Sequence, residues 1–426
     1  MQENAKDAQV DFPKGFMWGA SISSHQSEGG NHNQWTVWEL AHASEMAKSA
    51  EKRLGWLPEW TEIKNQAQDP ENYVSGQGVK HFSRYKDDFD LLQKLNMNAF
   101  RFGVEWSRIE PEAGKWNEEA VEYYREYINE LKSRGIEPML NIWHTSSPVW
   151  FARKGGFKRY SNLKYFDRFV RKIAEEYGHM LNYVITFNEP NIYASLSYQT
   201  GEWPPQEKNL LSTVQVSWNM MLAHRAAYKT LKAINPRLQI GVASNLVNIQ
   251  AKRAHNFFDE LSTKVMRYIW NWWFLRRIRR RQDFVGINYY FTDYYTGLFK
   301  RKNPTMPLND MGFYMEPEGL YPLMLRVWAR YKKPIIITEN GVADMNDQYR
   351  RWWIEETIVA MERALSEGVK IIGYFHWSLL DNFEWAFGWW PKFGLVAVDR
   401  KNGMKRTIRP SAKWFAEKIK GLSVSK

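Results

Sequence analysis

The stretch Tyr183-Val184-Ile185-Thr186-Phe187-Asn188-Glu189-Pro190 decides how this chain is expected to fold. Its first residues are β-branched or aromatic and show no helical period, which predicts a buried strand. It ends in an amide, a carboxylate and a proline, residue types that do not continue a central strand. A second apolar run, Pro334-Ile335-Ile336-Ile337-Thr338-Glu339-Asn340-Gly341, also stops at a glutamate. Two strands that end in glutamates predict a site built on two carboxyl groups.

Segments of the same kind alternate with helices along the whole chain. Apolar runs predict strands at residues 16–23, 98–106, 138–144, 183–188, 238–243, 283–290, 335–339 and 370–377. Helical spacing predicts helices at 80–95, 117–134, 162–177, 210–233, 256–279, 318–331, 351–367 and 411–419, with Asn117 as an N-cap. Eight such units predict the α/β class and a parallel sheet closed into a (β/α)8 TIM barrel. We expect a single domain over residues 1–426, with a long polar loop insertion around 45–78.

The composition excludes several classes of protein. Of the 426 residues, 44% are apolar and 16% aromatic, which is enough for a large core. There is no cysteine, so disulfides and thiolate metal sites are excluded. No run of about 18 apolar residues predicts a membrane span, and residues 1–16 lack the apolar centre of a signal peptide. We therefore expect a cytoplasmic protein.

The net charge of +12 arises from 59 Lys and Arg against 47 Asp and Glu. Such a balance suits nucleic acid or an anionic surface. No nucleic-acid recognition motif accompanies the charge, so no nucleic-acid partner is expected. The nine histidines show no paired ligand spacing, and no glycine-rich phosphate loop follows a strand. We therefore expect neither a metal nor a cofactor.

The functional side chains of a (β/α)8 barrel lie at the carboxyl ends of its strands. Glu189 and Glu339 end the fourth and seventh predicted strands. The other polar or aromatic side chains at strand ends are Gln26, Arg101, His144, Asn288, Tyr290 and Trp377. We expect all of them to converge on one site.

Six motifs follow one another along the chain: SHQSEG at 24–29, RFGVEWSR at 101–108, TFNEP at 186–190, GINYY at 286–290, ITENG at 337–341 and WSLLDNFEW at 377–385. Together they resemble the motifs of glycoside hydrolase family 1, the retaining β-glycosidases with a (β/α)8 barrel. The resemblance runs from residue 16 nearly to the end of the chain. It implies hydrolysis of small β-linked glycosides, with glucosides or galactosides as the first expectation and mannosides or fucosides as alternatives.

The resemblance also implies a role for each matching residue. Glu339 corresponds to the nucleophile and Glu189 to the general acid/base, while Arg101, Tyr290 and Asn288 correspond to their catalytic neighbours. The substrate-binding set implied by the same motifs is Gln26, His144, Asn188, Trp377, Glu384 and Trp385. The chemistry requires two carboxyl groups about 5–5.5 Å apart, one ionised and one protonated. Arg101 and Tyr290 would favour the ionised nucleophile.

Glu384 and its surroundings bear on the substrate. A carboxylate at this position repels a phosphate, which favours a neutral glycone, although Lys392 lies nearby in the sequence. Thr145 stands where most relatives have an aromatic residue, and Gly388-Trp389-Trp390-Pro391 replaces their polar loop. These departures leave a 6-phospho-β-glycosidase or a transglycosylase as alternatives. A non-catalytic sugar-binding or membrane-associated barrel is a third alternative, against which both intact glutamates argue.

The segment 266–281 combines an apolar stripe with a basic end. Met266, Ile269, Trp270, Trp273 and Phe274 follow helical spacing, and five arginines lie at 276–281. One interpretation is an interfacial helix on anionic lipid. The favoured one is an outer barrel helix that packs this stripe on the sheet and exposes its basic end to solvent.

Overall fold

The computed structural model describes residues 11–424, so the first ten residues of the predicted polar N-terminal segment lie outside this range. Eight parallel strands close into a barrel in the order β1-β8-β7-β6-β5-β4-β3-β2. They are β1 Met17–Ser21, β2 Ala99–Gly103, β3 Glu137–Trp143, β4 Tyr183–Asn188, β5 Gln239–Asn245, β6 Val285–Tyr289, β7 Ile335–Asn340 and β8 Ile371–Trp377. The predicted (β/α)8 barrel is confirmed, and every predicted strand is present.

An outer layer of helices connects the strands. The barrel helices are α1 His81–Lys94, α2 Glu118–Ser133, α3 Leu163–Tyr177, α4 Leu210–Ile234, α5 Phe257–Arg267, α6 Leu320–Tyr331, α7 Arg350–Ser366 and α8 Pro410–Val424. Asn117 caps α2 as predicted, because its side chain accepts from the backbone N–H groups of Glu119 and Ala120. No helix within residues 11–424 is long and apolar enough to cross a bilayer.

The floor of the barrel is an apolar layer to which each strand contributes. Its buried members are Met17, Ala99, Met139, Ile185, Ala243, Phe284, Ile336 and Phe375. Side chains two residues further along a strand point to the same side. Arg101, Asn245 and Trp377 therefore lie directly above Ala99, Ala243 and Phe375, at the carboxyl ends of the strands. The strand period thus places a polar layer on an apolar floor.

The insertion after β1 differs from its prediction. The stretch 45–78 was expected to be a loop, but much of it is helical: Gln34–Lys48, Ala50–Leu54, Trp60–Ala67 and the 3-10 turn Pro70–Tyr73. The predicted loop is therefore wrong. Many of its polar residues are exposed on one side of short helices, while Ala50, Leu54, Ile63 and Ala67 are buried. Elements this short show too few turns for a period to be recognised from sequence.

The helix predicted at 256–279 is interrupted. After α5 comes a π-helical turn, Tyr268–Trp272, and then the helix Trp273–Ile278. A π-turn inserts one extra residue and so rotates the following face. Trp272 at the end of the turn and Leu275 and Ile278 after it are buried, whereas Ile269 of the predicted stripe is exposed. The segment is an outer barrel helix as favoured, but of the predicted stripe only Phe274 is fully buried.

Candidate active site

A cavity of about 140 Å³ opens at the carboxyl ends of the strands. Eight of the predicted site residues line it, seven of which are His144, Asn188, Glu189, Tyr290, Glu339, Trp377 and Glu384. Trp385 lines it as well, and the other predicted residues, Gln26, Arg101 and Asn288, are hydrogen-bonded to lining residues. The structure therefore brings all eleven predicted residues together.

Glu339, at the end of β7, is held by two donors. The Tyr290 hydroxyl donates to Glu339 Oε2 at 2.7 Å, and Arg101 Nη1 donates to Oε1. Both side chains favour a carboxylate, because one supplies an O–H and the other a buried positive charge. Gly341 has no room for a side chain, since a Cβ there would lie 1.9 Å from the carbonyl oxygen of Trp377. This close approach joins β7 to the end of β8 directly behind Glu339.

Glu189 follows β4 in a different environment. Its backbone is left-handed (φ +45°), a conformation that side chains rarely adopt and that turns the residue out of the strand before Pro190. Its Oε1 accepts from two neutral amides, Asn288 Nδ2 at 3.0 Å and Asn245 Nδ2 at 3.1 Å. Burial, and then the negative charge of Glu339, raise the pKa of Glu189 to about 8. This carboxyl group is therefore protonated at neutral pH.

A chain of hydrogen bonds connects the two carboxyl groups. Arg101 Nη2 donates to Asn188 Oδ1 at 2.7 Å, while its Nη1 holds Glu339. Asn288 Nδ2 donates both to Asn188 Oδ1 and to Glu189 Oε1, each at 3.0 Å. Arg101 is fully buried, so these contacts are made away from solvent. The network fixes the two carboxyl groups relative to each other.

His144 is held in one tautomer by its neighbours. Because Asn188 Oδ1 accepts from Arg101 and Asn288, its Nδ2 is the atom that donates to His144 Nε2, at 2.9 Å. Asn141 Nδ2 lies 3.0 Å from His144 Nδ1, and Asn141 Oδ1 has no hydrogen-bond partner. Because Nε2 accepts from Asn188, the proton is on Nδ1, and exchanging the oxygen and nitrogen positions of the Asn141 amide would let its oxygen accept that proton. Burial, together with the charge of Arg101, lowers the pKa of His144 well below its usual value. The imidazole is therefore a neutral, oriented hydrogen-bonding group.

Glu384 lines the cavity and is hydrogen-bonded to Gln26. Gln26 Nε2 donates to the carbonyl oxygen of Phe383 at 2.8 Å and to Glu384 Oε2 at 3.4 Å. Gln26 lies in a short helical turn, Ser24–Ser27, that directly follows β1. Burial, and then the charges of Glu339 and Glu189, raise the pKa of Glu384 to about 8. An amide and a carboxyl group side by side can bind neighbouring hydroxyls of one ligand.

Aromatic rings complete this end of the cavity. The rings of Trp377 and Trp385 lie 5.7 and 6.2 Å from that of His144. Trp385 has a left-handed backbone (φ +45°) and stacks on His25 at 5.3 Å. Flat apolar faces with a polar handle suit the carbon faces of sugar rings. Thr145, also left-handed, lines the cavity with a small side chain.

The outer part of the cavity is apolar. Its lining residues there are Ile192, Leu196, Trp203, Phe291, Met311, Phe313, Phe387 and Phe393. They come from the segments after β4, β6 and β8, and Phe291 and Phe313 lie in ring contact at 5.0 Å. We call this set the apolar rim. It could not be identified from the sequence, because isolated apolar residues in loops carry no period.

Two further findings concern residues near the site. Asn245 was missed, although it ends β5 and the strand-end rule used for the other residues would have found it.

Trp389 and Trp390 were expected near the ligand but are fully buried. Trp389 Nε1 donates to the Val74 carbonyl at 2.9 Å, so this loop anchors the insertion after β1. Lys392 is half-buried, its Nζ donates to the Trp389 carbonyl, and it does not line the cavity.

The chain was compared with known proteins. Residues 8–280 and 274–422 match the profile of glycosyl hydrolase family 1. The chloroplastic galactolipid galactosyltransferase of Arabidopsis thaliana is 33% identical over 82% of this chain, which spans only 59% of that protein. This chain spans 54% of the length of a similar plant protein from rice. Beta-glucosidase A of Acetivibrio thermocellus is 26% identical over 97% of this chain and 99% of its own length.

Solved structures give the same result. A beta-glycosidase from Pyrococcus horikoshii superimposes with a TM-score of 0.85 at 32% identity, covering 98% of this chain and 97% of that one. The beta-glucosidase from Thermotoga maritima in complex with glucoimidazole gives a TM-score of 0.87 at 25% identity, covering 98% and 100%. The barrel, the motifs at its strand ends and these matches agree. The chain belongs to glycosyl hydrolase family 1.

Proposed function

We propose that this family member hydrolyses β-linked glycosides by double displacement, with Glu339 as nucleophile and Glu189 as general acid/base. The observation that carries the proposal is the opposite environment of the two carboxyl groups. Glu339 accepts from a guanidinium and a phenol, whereas Glu189 is buried among neutral amides with a raised pKa. Environments that separate two carboxyl groups in this way assign one as base or nucleophile and the other as acid.

In the first step, a Glu339 oxygen attacks the anomeric carbon and the bond from that carbon to the leaving oxygen breaks. Glu189 gives its proton to the leaving oxygen, and the glycone becomes an ester of Glu339. In the second step, water gives a proton to Glu189 and attacks the anomeric carbon, which releases Glu339. Each step inverts the configuration at the anomeric carbon, so the product keeps the configuration of the substrate. Neither step requires a cofactor.

The surrounding residues support these steps. Asn188 would hydrogen-bond the sugar 2-hydroxyl, a contact that strengthens in the transition state. Arg101 and Tyr290 hold both oxygens of Glu339, so the nucleophile does not need to be reoriented. Asn288 positions Asn188 and Glu189 together. Gln26, His144 and Glu384 would bind the remaining hydroxyls, with Trp377 and Trp385 against the sugar ring.

A neutral glycone fits this cavity best. Three carboxyl groups line it and, among residues 11–424, no lysine or arginine does. A 6-phosphate would lie beside Glu384 with no cation to offset the charge of the phosphate. Lys392 does not supply one, because its Nζ donates to the Trp389 carbonyl and it does not line the cavity. We therefore propose β-glucosides or β-galactosides over their 6-phosphates. The names of the Acetivibrio and Thermotoga relatives agree with a glucoside.

The apolar rim favours a second candidate, transfer to an alcohol instead of to water. Apolar rings around the mouth would bind an apolar acceptor and exclude water from the glycosyl ester. One relative is named a galactolipid galactosyltransferase. With a nitrophenyl glycoside as donor, hexanol should then yield far more alkyl glycoside than an equal concentration of glycerol. Equal yields would remove this candidate and leave hydrolysis.

The main proposal is tested with a panel of nitrophenyl β-glycosides, plain and 6-phosphorylated, and three proteins: wild type, Glu339→Ala and Glu189→Ala. We expect wild type to cleave plain sugars with retention. Added azide should partly restore Glu339→Ala, giving the α-glycosyl azide, and should restore Glu189→Ala, giving the β-glycosyl azide. No turnover of any sugar by folded wild type would overturn the proposed activity. Azide products of the opposite configuration would overturn the assignment of the two roles.

A further inference from the structure

Exposed apolar side chains concentrate on one side of the barrel. On α4, Leu210, Leu211, Val214 and Trp218 are exposed, Leu211 by 80%. They follow one another at helical spacing and so form a stripe on the outer face of the helix. Soluble proteins rarely expose contiguous apolar surface without a partner. This stripe therefore requires an explanation outside the barrel core.

A second stripe lies on α5 and the π-turn after it. Phe257, Phe258 and Leu261 are exposed by 70%, 66% and 45%, and Ile269 by 55%. The tip of the segment after β6 lies beside them, where Leu298 and Phe299 are also exposed. Hydrogen bonds fix this tip to α5, from the Gly297 N–H to Asp259 Oδ1 at 2.8 Å and from the Phe299 N–H to Ser262 Oγ at 3.4 Å.

Arg277 connects the two stripes. Its guanidinium lies 5.6 Å from the ring of Trp218 on α4 and 4.9 Å from the ring of Trp273 beyond the π-turn. We call the exposed residues of α4, of the segment 257–280 and of the tip at 297–299 the lateral surface. Leu210 and Leu211 lie in the first turn of α4, and Phe257 and Phe258 lie in the first turn of α5. In a (β/α)8 barrel these turns lie near the carboxyl ends of the strands, the face that holds the cavity.

The lateral surface is also strongly cationic. Residues 252–302 contain twelve Lys and Arg against four Asp and Glu, a net charge of +8 out of +12 for the chain. Three of the four acids have partners: Asp259 pairs with Arg253, Asp283 with Lys232 and Asp293 with Arg301. Within the described chain, Lys264, Arg276, Arg277, Arg279 and Arg280 are exposed and form no ion pair.

A groove of about 1150 Å³ between α5 and α6 continues this charge. The cations that line it are Lys264, Arg267, Arg276, Arg279, Arg326 and Arg330, and none of its described lining residues is acidic. Arg267 and Arg326 donate only to neutral acceptors, the Ile249 carbonyl and the Asn248 amide. Burial, and then the charge of Arg326, lower the pKa of Arg267 to about 10. Such a groove is suited to phosphate groups.

We propose that the lateral surface docks on a bilayer that contains anionic phospholipid. The exposed Phe and Leu side chains enter the acyl boundary, and the unpaired Lys and Arg bind the headgroup phosphates. An anionic bilayer would bind both the exposed apolar side chains and the unpaired cations. A second copy of the chain would not, because pairing through this surface would bring two clusters of unpaired cations together. The inference stands on this surface and does not depend on the proposed hydrolysis.

Docking would place the catalytic cavity beside the membrane. Trp270 Nε1, on the π-turn, donates to Asn245 Oδ1 at 3.2 Å, and Asn245 in turn donates to Glu189. The segment that carries part of the lateral surface is thus two hydrogen bonds from the proposed acid/base. A substrate or acceptor held in the bilayer could then reach the apolar rim.

The test is co-sedimentation of the full chain with vesicles of phosphatidylcholine alone or mixed equally with phosphatidylglycerol, at low and high salt. We expect binding to the mixed vesicles at low salt and little binding to phosphatidylcholine. Arg279→Glu/Arg280→Glu should weaken the partition coefficient about tenfold or more, and Phe257→Ser/Phe258→Ser by a similar factor. Circular dichroism and the thermal unfolding midpoint report whether each variant is folded.

The matched controls change residues outside the lateral surface. Lys401→Glu/Lys405→Glu alters the net charge equally on the hairpin after β8, and Leu40→Ser removes another exposed apolar side chain. Both should bind vesicles like wild type. The proposal is overturned if wild type stays in the supernatant at low salt, or if the controls lose as much binding as the test variants. It is also overturned if wild type is a dimer that Phe257→Ser/Phe258→Ser converts to a monomer without changing vesicle binding.

Discussion

The deep end and the outer end of the catalytic cavity are built in different ways. At the deep end, side chains from strand ends, such as Arg101, Asn188 and Asn288, bond to one another at 2.7–3.0 Å. At the outer end, loop residues such as Leu196 and Phe313 supply apolar area without directional partners. The strands therefore fix the geometry of bond cleavage, whereas the loops set which leaving group or acceptor is bound. Substitutions at the two ends should accordingly differ in size and in kind.

The largest effect is expected at the nucleophile. Glu339→Gln keeps the shape of the side chain but removes its charge, so kcat/KM should fall by about 10⁴-fold or more, as on loss of a nucleophile in other hydrolases. The pKa of Glu189 should fall from about 8, because a negative charge is removed, but stay above its usual value, because burial is the larger cause. Steady-state kinetics and NMR titration of labelled glutamate measure the two effects.

Glu384→Gln is the control for this prediction. It makes the same chemical change in the same cavity, but the charge of Glu384 is not among the main causes of the Glu189 shift. The pKa of Glu189 should therefore change less than in Glu339→Gln. An equal change in both variants would show that the network at the deep end does not single out Glu339.

Asn188→Ala should have the next largest effect. The amide meets Arg101, His144 and Asn288, and we propose that it also binds the sugar 2-hydroxyl. Its loss should lower kcat/KM by about 10²–10³-fold, the range seen when one transition-state hydrogen-bond donor is removed. With a 2-deoxyglycoside, which lacks the partner hydroxyl, the ratio of wild type to variant should shrink. An unchanged ratio would assign Asn188 to positioning alone.

The pH dependence should follow the general acid. The first step requires protonated Glu189, whose pKa is raised to about 8, so kcat/KM should fall about tenfold per pH unit above that value. In the folded free enzyme the proton is bound more tightly than in the unfolded chain. The stabilisation this gives is complete below the usual glutamate pKa and is lost as the pH rises through about 8.

Because the pKa of Glu384 is also raised to about 8, the pH profile must separate the two groups. Glu384→Gln should keep the alkaline fall in kcat/KM, whereas Glu189→Gln, assayed with a reactive dinitrophenyl glycoside, should lose it. An alkaline fall that disappears only in Glu384→Gln would assign the titration to the sugar-binding side.

The smallest effect is expected at the apolar rim. Phe313→Ala removes a half-buried ring that contacts Phe291, so kcat/KM for octyl β-glucoside should fall about fivefold to tenfold. Methyl β-glucoside does not reach the rim and should change less than about twofold. Tyr160→Ala, which removes an exposed ring elsewhere, should leave both substrates unaffected. Equal losses for the two glycosides would mean that the rim positions the deep end instead of binding the aglycone.

The same division explains what the sequence could predict. Strand periodicity gave eight strands, and strand-end polar residues, read with the family motifs, identified all eleven site residues that the structure gathers. Asn245 was missed because it belongs to none of the six motifs, and a single polar residue after an apolar run is weak evidence for a site by itself. The rim and the fully buried Trp389 could not be predicted, because their positions depend on contacts between loops far apart in sequence. A uniform helical period predicts that the apolar stripe at 266–274 packs on the sheet. The π-turn at 268–272 rotates the helix face, so most of this stripe is not fully buried.

The bond between Gln26 and the Phe383 carbonyl joins residues 357 positions apart. During synthesis on the ribosome, β1 and its turn emerge well before β8, and their partner at Phe383 leaves the exit tunnel only after 357 further residues have been added. Contacts of such long range are expected to form late in folding. Nascent chains that end before β8 would carry both proposed catalytic glutamates and still lack one wall of the sugar site. Newly made molecules should therefore acquire the ability to bind sugar abruptly, once β8 and Phe383 have left the exit tunnel.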